Sequence, residues 1–161
     1  MQHFSIRPAR IDDVETILHF IHQLAEYENL SDQVETTREN ILQYGFSERP
    51  IFYTLLAEDE TGQPVGFSLF YLSFSTFVSK PTLYVEDLFV APENRNQGIG
   101  KAFFREFIDI AKKRGYGRIE WAVLDWNDDA IKLYDALGAK PVKGWTVYRM
   151  DEDAIQSFND W

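Results

Sequence analysis

Hydrophobic and polar residues follow two periods along this chain, and the changes between them mark its elements. Val14, Ile17, Leu18 and Ile21 recur at the spacing of an amphipathic helix, whereas residues 51–57 are rich in the aromatic and branched side chains typical of strands. The polar residues 59–64 that follow have the composition of a hairpin turn. The pattern predicts strands at residues 4–7, 51–57, 65–72, 83–90, 119–124 and 144–150, and helices at residues 14–28, 37–45, 101–113 and 128–137.

The order of these elements predicts the class of fold. Strands joined by a hairpin come first, and a strand-helix-strand-helix unit follows them. We therefore expect an α/β protein with a mixed, mostly antiparallel central sheet of about six to seven strands and about four helices on both faces. Thr36 and Glu39 have the spacing of a capping box, which predicts where the second helix begins. A chain of 161 residues is most simply one domain over residues 1–161.

Composition excludes several classes of function. The chain has no cysteine, which rules out disulfides, thiolate catalysis and cysteine metal sites. Its formal net charge of -10 disfavours nucleic acid as a partner, because duplex binding depends on Lys and Arg. The charge suits a cationic substrate, although an acidic surface also serves solubility. No apolar run is long enough to span a membrane and no secretion signal opens the chain, so we expect a cytoplasmic protein without a membrane partner.

A glycine-containing loop between the strand at 83–90 and the next helix is the strongest chemical signal. Gly98 and Gly100 allow the backbone to approach an anion closely, and the first amides of the following helix have no partners inside it. A Walker A loop would need glycine in place of Arg95 and Ser or Thr in place of Ala102. A Rossmann fingerprint would need glycine in place of Phe103. The loop consists of Arg95, Asn96, Gln97, Gly98, Ile99 and Gly100, and Lys101 follows it.

Two further motifs contain side chains that can move protons. Glu86 and Asp87 lie inside an otherwise apolar strand, where unpaired carboxylates are costly. Glu86 is a candidate general base, directly or through water, or a structural carboxylate in an ion pair. Because side chains alternate along a strand, we expect Asp87 to point away from Glu86. Asn127 follows the strand at 119–124, and Tyr134 lies on the helix after it, where it is a candidate acid or a packed phenol.

The form Arg-x-x-Gly-x-Gly resembles the acetyl-CoA pyrophosphate loop of the GCN5-related N-acetyltransferases (GNAT). The motif from Asn127 to Tyr134 is similar to a second motif of that family. Residues 6–9, 24–28, 45–46 and 144–145 resemble the diamine and thialysine acetyltransferases. The resemblance implies transfer of acetyl from acetyl-CoA to a small primary amine, a lysine-like amino acid or a polyamine, by direct attack in a ternary complex. It also implies a homodimer.

The resemblance assigns roles to residues of this sequence. It implies that Glu86 is the base and Tyr134 the general acid, and that the Val90 amide stabilises the oxyanion. Acetyl-CoA would contact the glycine loop as a whole, together with residues from the neighbouring elements. These cofactor contacts are Leu88, Phe89, Val90, Arg95, Asn96, Gln97, Gly98, Ile99, Gly100, Lys101, Asn127, Ala130 and Tyr134.

The acceptor amine has a separate set of implied contacts. Thr76 and Lys143 stand about where diamine acetyltransferases carry acids, and a lysine there would repel a second ammonium. Residues 122–127 and Ala130 are more similar to the thialysine enzymes, so Lys143 would pair with a substrate carboxylate. The implied substrate contacts are Tyr27, Glu28, Glu86, Asp87, Trp126, Lys143 and Trp145.

Other functions fit parts of the pattern. A non-catalytic acyl-CoA sensor would keep the glycine loop without a base and an acid, and a peptide acetyltransferase would need an open groove. His19 and His22 are spaced to face the same way on a helix, but no third metal ligand is evident in the sequence. We expect these two histidines to lie on a solvated helix face and expect no metal cofactor.

Overall fold

The computed structural model describes residues 3–158 and divides the chain into two compact units, Met1–Ala122 and Val123–Trp161. The first unit contains a five-stranded sheet in the order β1-β2-β3-β4-β5, with three antiparallel pairs and a parallel pair between β4 and β5. Its elements are β1 Phe4–Pro8, α1 Val14–Tyr27, α2 Arg38–Gly45, β2 Tyr53–Asp59, β3 Pro64–Ser75, β4 Lys80–Val90, α3 Ile99–Arg114 and β5 Arg118–Trp121.

Helices cover both faces of this sheet. Phe67 of β3 and Phe89 of β4 are opposite each other in the register and join a buried cluster with α1, where Phe20 stacks on Phe67 at 5.7 Å between ring centroids. Phe70 of β3 contacts Phe107 of α3 edge to face at 5.6 Å. The expected mixed α/β architecture is confirmed, with five strands rather than six or seven.

The hairpin between β3 and β4 is longer than the sequence predicts. Polar residues 73–81 suggested a connection, but β3 continues to Ser75, β4 begins at Lys80, and Thr76 lies in the tight turn between them. Pairing with a neighbouring strand satisfies the backbone in both segments, which outweighs the weak strand propensity of serine.

The start of α2 also differs by one residue from the prediction. Thr37, rather than Thr36, is the N-cap: its hydroxyl accepts a hydrogen bond from the Asn40 amide at 3.2 Å. The Asn40 side chain in turn accepts from the Thr37 amide at 3.0 Å. Asparagine thus serves in the capping box where the sequence suggested Glu39, because either side chain carries an acceptor oxygen at the required reach.

The second unit contains two short helices, α4 Asp128–Ala136 and α5 Glu152–Gln156. The strand predicted at residues 144–150 is wrong, since this segment has no regular secondary structure. Trp145, Val147 and Tyr148 are 77%, 90% and 92% exposed. Strand propensity describes how side chains fit a pleated, half-buried surface, so it is not realised where no strand pairs with the segment.

Within residues 3–158, no helix combines the length and the apolar character needed to cross a bilayer.

Candidate active site

The sheet opens at the carboxyl end of β4. β5 pairs with β4 only from Thr82 to Val85, whereas β3 remains paired with β4 as far as Val90. Beyond Val85, the edge of β4 that faces away from β3 has no partner strand among the described residues. Backbone groups on this open edge are therefore placed to pair with a ligand.

The direction of the backbone groups shows which residues face the open edge. The Ala91 amide donates to the Val65 carbonyl at 3.0 Å, and the Phe89 carbonyl lies so close to Gly66 that a Cβ there would approach it to 2.7 Å. Backbone groups of successive residues point to opposite edges of a strand. The Val90 amide, and with it that of Leu88, therefore faces the open edge, while the Phe89 side chain is buried in the core.

A β-bulge interrupts β4 at Glu86. Asp87 pairs with Leu69 and Val85 pairs with Phe70, which leaves Glu86 as an extra residue without an opposite partner in β3. Asp87 consequently lies opposite Leu69, whose side chain packs on the α1 cluster. The bulge interrupts the regular alternation from which opposite directions were predicted for Glu86 and Asp87; Glu86 is exposed and Asp87 is half-buried.

Three acidic residues, Glu28, Glu86 and Asp87, lie near enough to this bulge for the charges of the two glutamates to act on Asp87, and together they are called the carboxylate cluster. Burial raises the pKa of Asp87 to about 7, and the charges of Glu86 and Glu28 add to the increase. Glu28 lies at the C-cap of α1, and partial burial raises its pKa as well. A concentrated negative field of this kind favours a bound cation, and a carboxyl group that titrates near neutrality can accept a proton at physiological pH.

The glycine loop has the backbone geometry that an anion site requires. Asn96 and Gly98 have positive φ angles of 61° and 89°, and Gly98 is the N-cap of α3 without a side-chain cap. The first turn of α3 closes when the Ala102 amide donates to the Gly98 carbonyl at 3.0 Å. The amides of Ile99, Gly100 and Lys101 precede that bond and point out of the helix. No acidic residue occupies this first turn, so the positive end of the helix dipole is uncompensated.

Side chains of the loop point in different directions. Gln97 is exposed, and its amide donates to the Glu93 carbonyl at 3.4 Å. Arg95 instead folds back onto the sheet, where Nε donates to the Val90 carbonyl at 3.0 Å. Its guanidinium carbon lies 4.6 Å from the Tyr27 ring centroid. Tyr27, predicted to contact the acceptor, therefore lies under Arg95 in this structure.

The second unit holds the other predicted residues. Asn127 is the N-cap of α4, and its side-chain oxygen accepts from the Ala130 amide at 3.3 Å. Burial raises the pKa of Tyr134 above its usual value of 10, so this phenol stays protonated at neutral pH. Trp126 is half exposed, and Lys143 and Trp145 lie in the irregular segment before α5.

Neither the bulge nor the contact of Arg95 with Tyr27 has a local sequence signal. Each depends on residues that are distant in the chain, and the acidic pair inside an apolar strand was the local signal for this region.

In residues 3–158 no group of three or more His, Asp or Glu side chains is arranged to hold a metal ion, and His19 and His22 are both exposed.

A sequence model of the Acetyltransferase (GNAT) family matches residues 17–139, which include the open edge, the glycine loop and α4. The chain belongs to this family. Thialysine N-epsilon-acetyltransferase from Bos taurus is 40% identical to this GNAT protein, with 94% of each chain covered. The enzyme of that name from Caenorhabditis elegans is 34% identical, with 99% of each chain covered. Spermidine/spermine N(1)-acetyltransferase-like protein 1 from Homo sapiens is 31% identical, with 96% of this chain and 24% of that protein covered.

Solved structures share the fold of this GNAT protein. An integron cassette protein from the mobile metagenome of V. cholerae superposes with a TM-score of 0.78 at 21% identity and 97% coverage of both chains. An aminoglycoside acetyltransferase from an uncultured soil metagenomic sample gives 0.77 at 18% identity, covering 92% of this chain and 97% of that one. The family predicted from the sequence is confirmed. The GNAT protein is an acetyl-CoA-dependent amine N-acetyltransferase.

Proposed function

We propose that this enzyme acetylates the primary amine of a small molecule and prefers acceptors that also bear a carboxylate, such as thialysine and lysine, with polyamines as the second acceptor class. The carboxylate cluster of Glu28, Glu86 and Asp87 beside the open edge of β4 is the observation that carries this proposal. Relatives named for thialysine acetylation and a relative named for spermidine and spermine support the two acceptor classes.

The cluster suits both binding and activation of the amine. An alkylamine has a reference pKa of about 10.4, so it arrives as a cation and must lose a proton before it attacks. The negative field attracts the cation, and Asp87, with a pKa of about 7, accepts protons near neutral pH. We propose that Glu86, exposed at the bulge, acts as the base directly or through water, with Asp87 and Glu28 setting the local charge.

The proposed reaction is a direct transfer in a ternary complex. The neutral amine nitrogen attacks the thioester carbonyl carbon, so that the C–N bond forms and the negative charge develops on the carbonyl oxygen. The Val90 amide on the open edge donates to that oxygen. The C–S bond then breaks, the amine proton passes to the carboxylate cluster, and Tyr134 protonates the departing thiolate.

Acetyl-CoA binding is assigned to the backbone more than to side chains. The pyrophosphate lies at the amides from Gly98 to Lys101, where the φ of 89° at Gly98 and the helix start expose them. The pantetheine arm runs along the open edge at residues 88–90, with Asn127, Ala130 and Tyr134 as further contacts. Trp126 and Trp145 are proposed contacts of the acceptor.

Lys143 is the proposed partner of the acceptor's carboxylate.

The proposal further includes one domain over the whole chain, a homodimer and a cytoplasmic location. Sedimentation velocity on the purified protein measures the oligomeric state, and a monomer at micromolar concentration contradicts the homodimer.

The experiment that tests the function is thiol release from acetyl-CoA against a panel of thialysine, lysine, ornithine, putrescine, spermidine and lysine-containing peptides. We expect thialysine and lysine to have the largest kcat/KM. Lys143→Glu should shift the preference toward spermidine, because it removes the partner of the carboxylate and adds one for a second ammonium. A wild-type preference for spermidine by a wide margin, or activity on peptides alone, contradicts the proposal.

A pH profile tests the carboxylate cluster. With Asp87 ionised the cation is attracted, so log kcat/KM for the amine should rise through pH 7 and flatten above it. Asp87→Asn should abolish that inflection and lower kcat/KM at pH 8. Asp59→Asn is the matched control, because Asp59 is the last residue of β2, where it accepts hydrogen bonds from the Thr61 and Gln63 amides of the turn that follows. An unchanged profile in Asp87→Asn assigns the inflection to another group.

A further inference from the structure

Arg95 has a contact that its place in the glycine loop does not predict. A basic residue beside a pyrophosphate site is expected to reach toward the phosphates. The half-buried Arg95 side chain turns toward the sheet instead, where Nε donates to the Val90 carbonyl at 3.0 Å. The guanidinium carbon also lies 4.6 Å and 5.6 Å from the ring centroids of Tyr27 and Phe89, within the range of cation–π attraction.

The partner of this hydrogen bond is the residue proposed to stabilise the oxyanion. The amide and carbonyl of one residue in a strand point to the same edge, so both Val90 groups face the open edge of β4. A charged donor on the carbonyl is stronger than a neutral one and restricts rotation of the Val90 backbone. The Val90 amide belongs to the preceding peptide group, so fixing the carbonyl restricts its direction through the backbone rotations at Val90, and this restriction is the preorganisation that oxyanion stabilisation needs.

The other side of the guanidinium contacts the end of α1. Tyr27 is the last residue of that helix, and Glu28 of the carboxylate cluster follows it. Arg95 therefore connects three parts of the first unit: the cofactor loop in which it stands, the end of β4, and the helix end that carries Glu28.

We infer that Arg95 is a positioning residue, which holds the Val90 carbonyl through Nε–H and Tyr27 through its guanidinium face, rather than a ligand of the cofactor phosphates. The inference rests on the proposed acetyl transfer and the role of the Val90 amide in it. Arg95, a residue of the proposed pyrophosphate loop, would then position the backbone at the proposed oxyanion site.

Three substitutions distinguish a residue that positions Val90 from a ligand of the phosphates. They differ in whether a hydrogen-bond donor is kept at the place of Arg95 Nε and in whether the charge is kept. Arg95→Gln removes the charge but places an amide nitrogen the same number of bonds from Cα as Arg Nε, so it can still donate to Val90. Arg95→Lys keeps the charge but places a methylene at that position and its ammonium one bond farther out. Arg95→Met has similar bulk with neither donor nor charge.

The expected result is a separation of turnover from binding. Arg95→Met and Arg95→Lys should lower kcat on the order of tenfold or more, with acetyl-CoA affinity by calorimetry changed less than about threefold. Arg95→Gln should recover most of the turnover. A phosphate ligand predicts the reverse order, with Arg95→Lys close to wild type and Arg95→Gln weak in acetyl-CoA binding. That order, or a fully active Arg95→Met, overturns the inference.

A measurement without turnover keeps the test independent of the proposed function and of folding losses in the variants. Nitrogen-15 spectra of the wild-type protein should show the Arg95 Nε–H signal exchanging with water much more slowly than the Arg105 signal from the exposed face of α3. Equal exchange rates for Arg95 and Arg105 overturn the contact with Val90. If the slow signal is present and no amine is acetylated, the proposed function fails and the contact stands.

Discussion

The N-termini of α3 and α4 differ in whether side chains cap the first amides and compensate the helix dipole. Each helix begins with amides that lack partners inside the helix. In α4 the Asn127 side chain caps the Ala130 amide, and Asp128 and Asp129 compensate the helix dipole. In α3 the N-cap is Gly98, no side chain caps the amides, and the first turn contains Lys101 and no acid.

The difference is informative because the protein is acidic. With a net charge of -10, acids are abundant, and the first turns of α1, α2, α4 and α5 all contain at least one. The exception is the helix that follows the glycine loop. A helix end left uncapped and uncompensated is less stable by itself, and a bound anion restores what is missing. In the proposed reaction, α3 contributes its backbone amides, whereas α4, whose own terminus is capped, contributes the side chain of Tyr134.

The largest expected effect tests the contribution of α4. Tyr134→Phe keeps the ring and its packing but removes the hydroxyl, so kcat should fall on the order of a hundredfold while acetyl-CoA affinity persists. Because burial raises the pKa of Tyr134, the wild-type phenol stays protonated across the neutral range and the loss should not depend on pH there. Tyr44→Phe on α2 is the matched control. An unchanged kcat under conditions where chemistry limits the rate makes Tyr134 a packed phenol only.

The next effect tests the contribution of α3. Gly98→Val places a branched side chain at a φ of 89°, which shifts the backbone that presents the amides, so the Kd for acetyl-CoA should rise at least tenfold. Gly62→Val is the control, since Gly62 has a φ of 82° and equally open surroundings but lies in the β2–β3 turn. Calorimetry measures both. Equal affinity in a folded Gly98→Val protein separates the loop from the cofactor.

A charge change makes α3 resemble the other helices. Lys101→Glu places an acidic residue in the first turn of α3, where it stabilises the helix by interacting with the positive end of the dipole. The same charge repels a pyrophosphate, so the Kd for acetyl-CoA should rise several-fold at low salt. The effect should shrink at high ionic strength because the site is exposed to solvent. Lys113→Glu, at the far end of the same helix, should leave the affinity near its wild-type value. If the Kd for acetyl-CoA changes neither with salt nor in Lys101→Glu, the helix dipole does not contribute to acetyl-CoA binding.

The smallest effect concerns the cap of α4. Asn127→Ala leaves the Ala130 amide without its side-chain acceptor and should lower the free energy of unfolding by about 1 kcal/mol. Asn127→Ser should recover most of that loss, since serine also caps helices well. Urea unfolding of the three proteins measures the difference. Equal stability of Asn127→Ala and wild type means that the cap contributes little.

Local patterns predicted the parts of the fold that depend on neighbours in sequence. The apolar spacing from Val14 onward predicted α1, and the glycine loop predicted the start of α3 within a few residues. The position of the glycine loop after an apolar strand was likewise readable, because turn geometry restricts the residue type at a positive φ. Family membership followed from these same residues.

Features that depend on distant partners were not predictable in this way. The segment at residues 144–150 has the composition of a strand, yet pairing is a property of two segments and this one has no partner strand among the described residues. The bulge at Glu86 arises from the register between β3 and β4, which a single strand sequence does not contain. The regular alternation used to predict the directions of Glu86 and Asp87 is therefore interrupted at this point.

The amino-acid sequence by itself determined helices α1 to α4, the order of the five strands along the chain, the position of the glycine loop and the membership in an acetyltransferase family, because periodicity and residue-specific backbone preferences act over a few residues. Only the tertiary structure decided that the pKa of Asp87 rises to about 7 and that Arg95 donates to Val90 instead of reaching outward. Desolvation and long-range hydrogen bonds depend on what surrounds a group in space, and that environment exists only after β3, β4 and α1 have packed together.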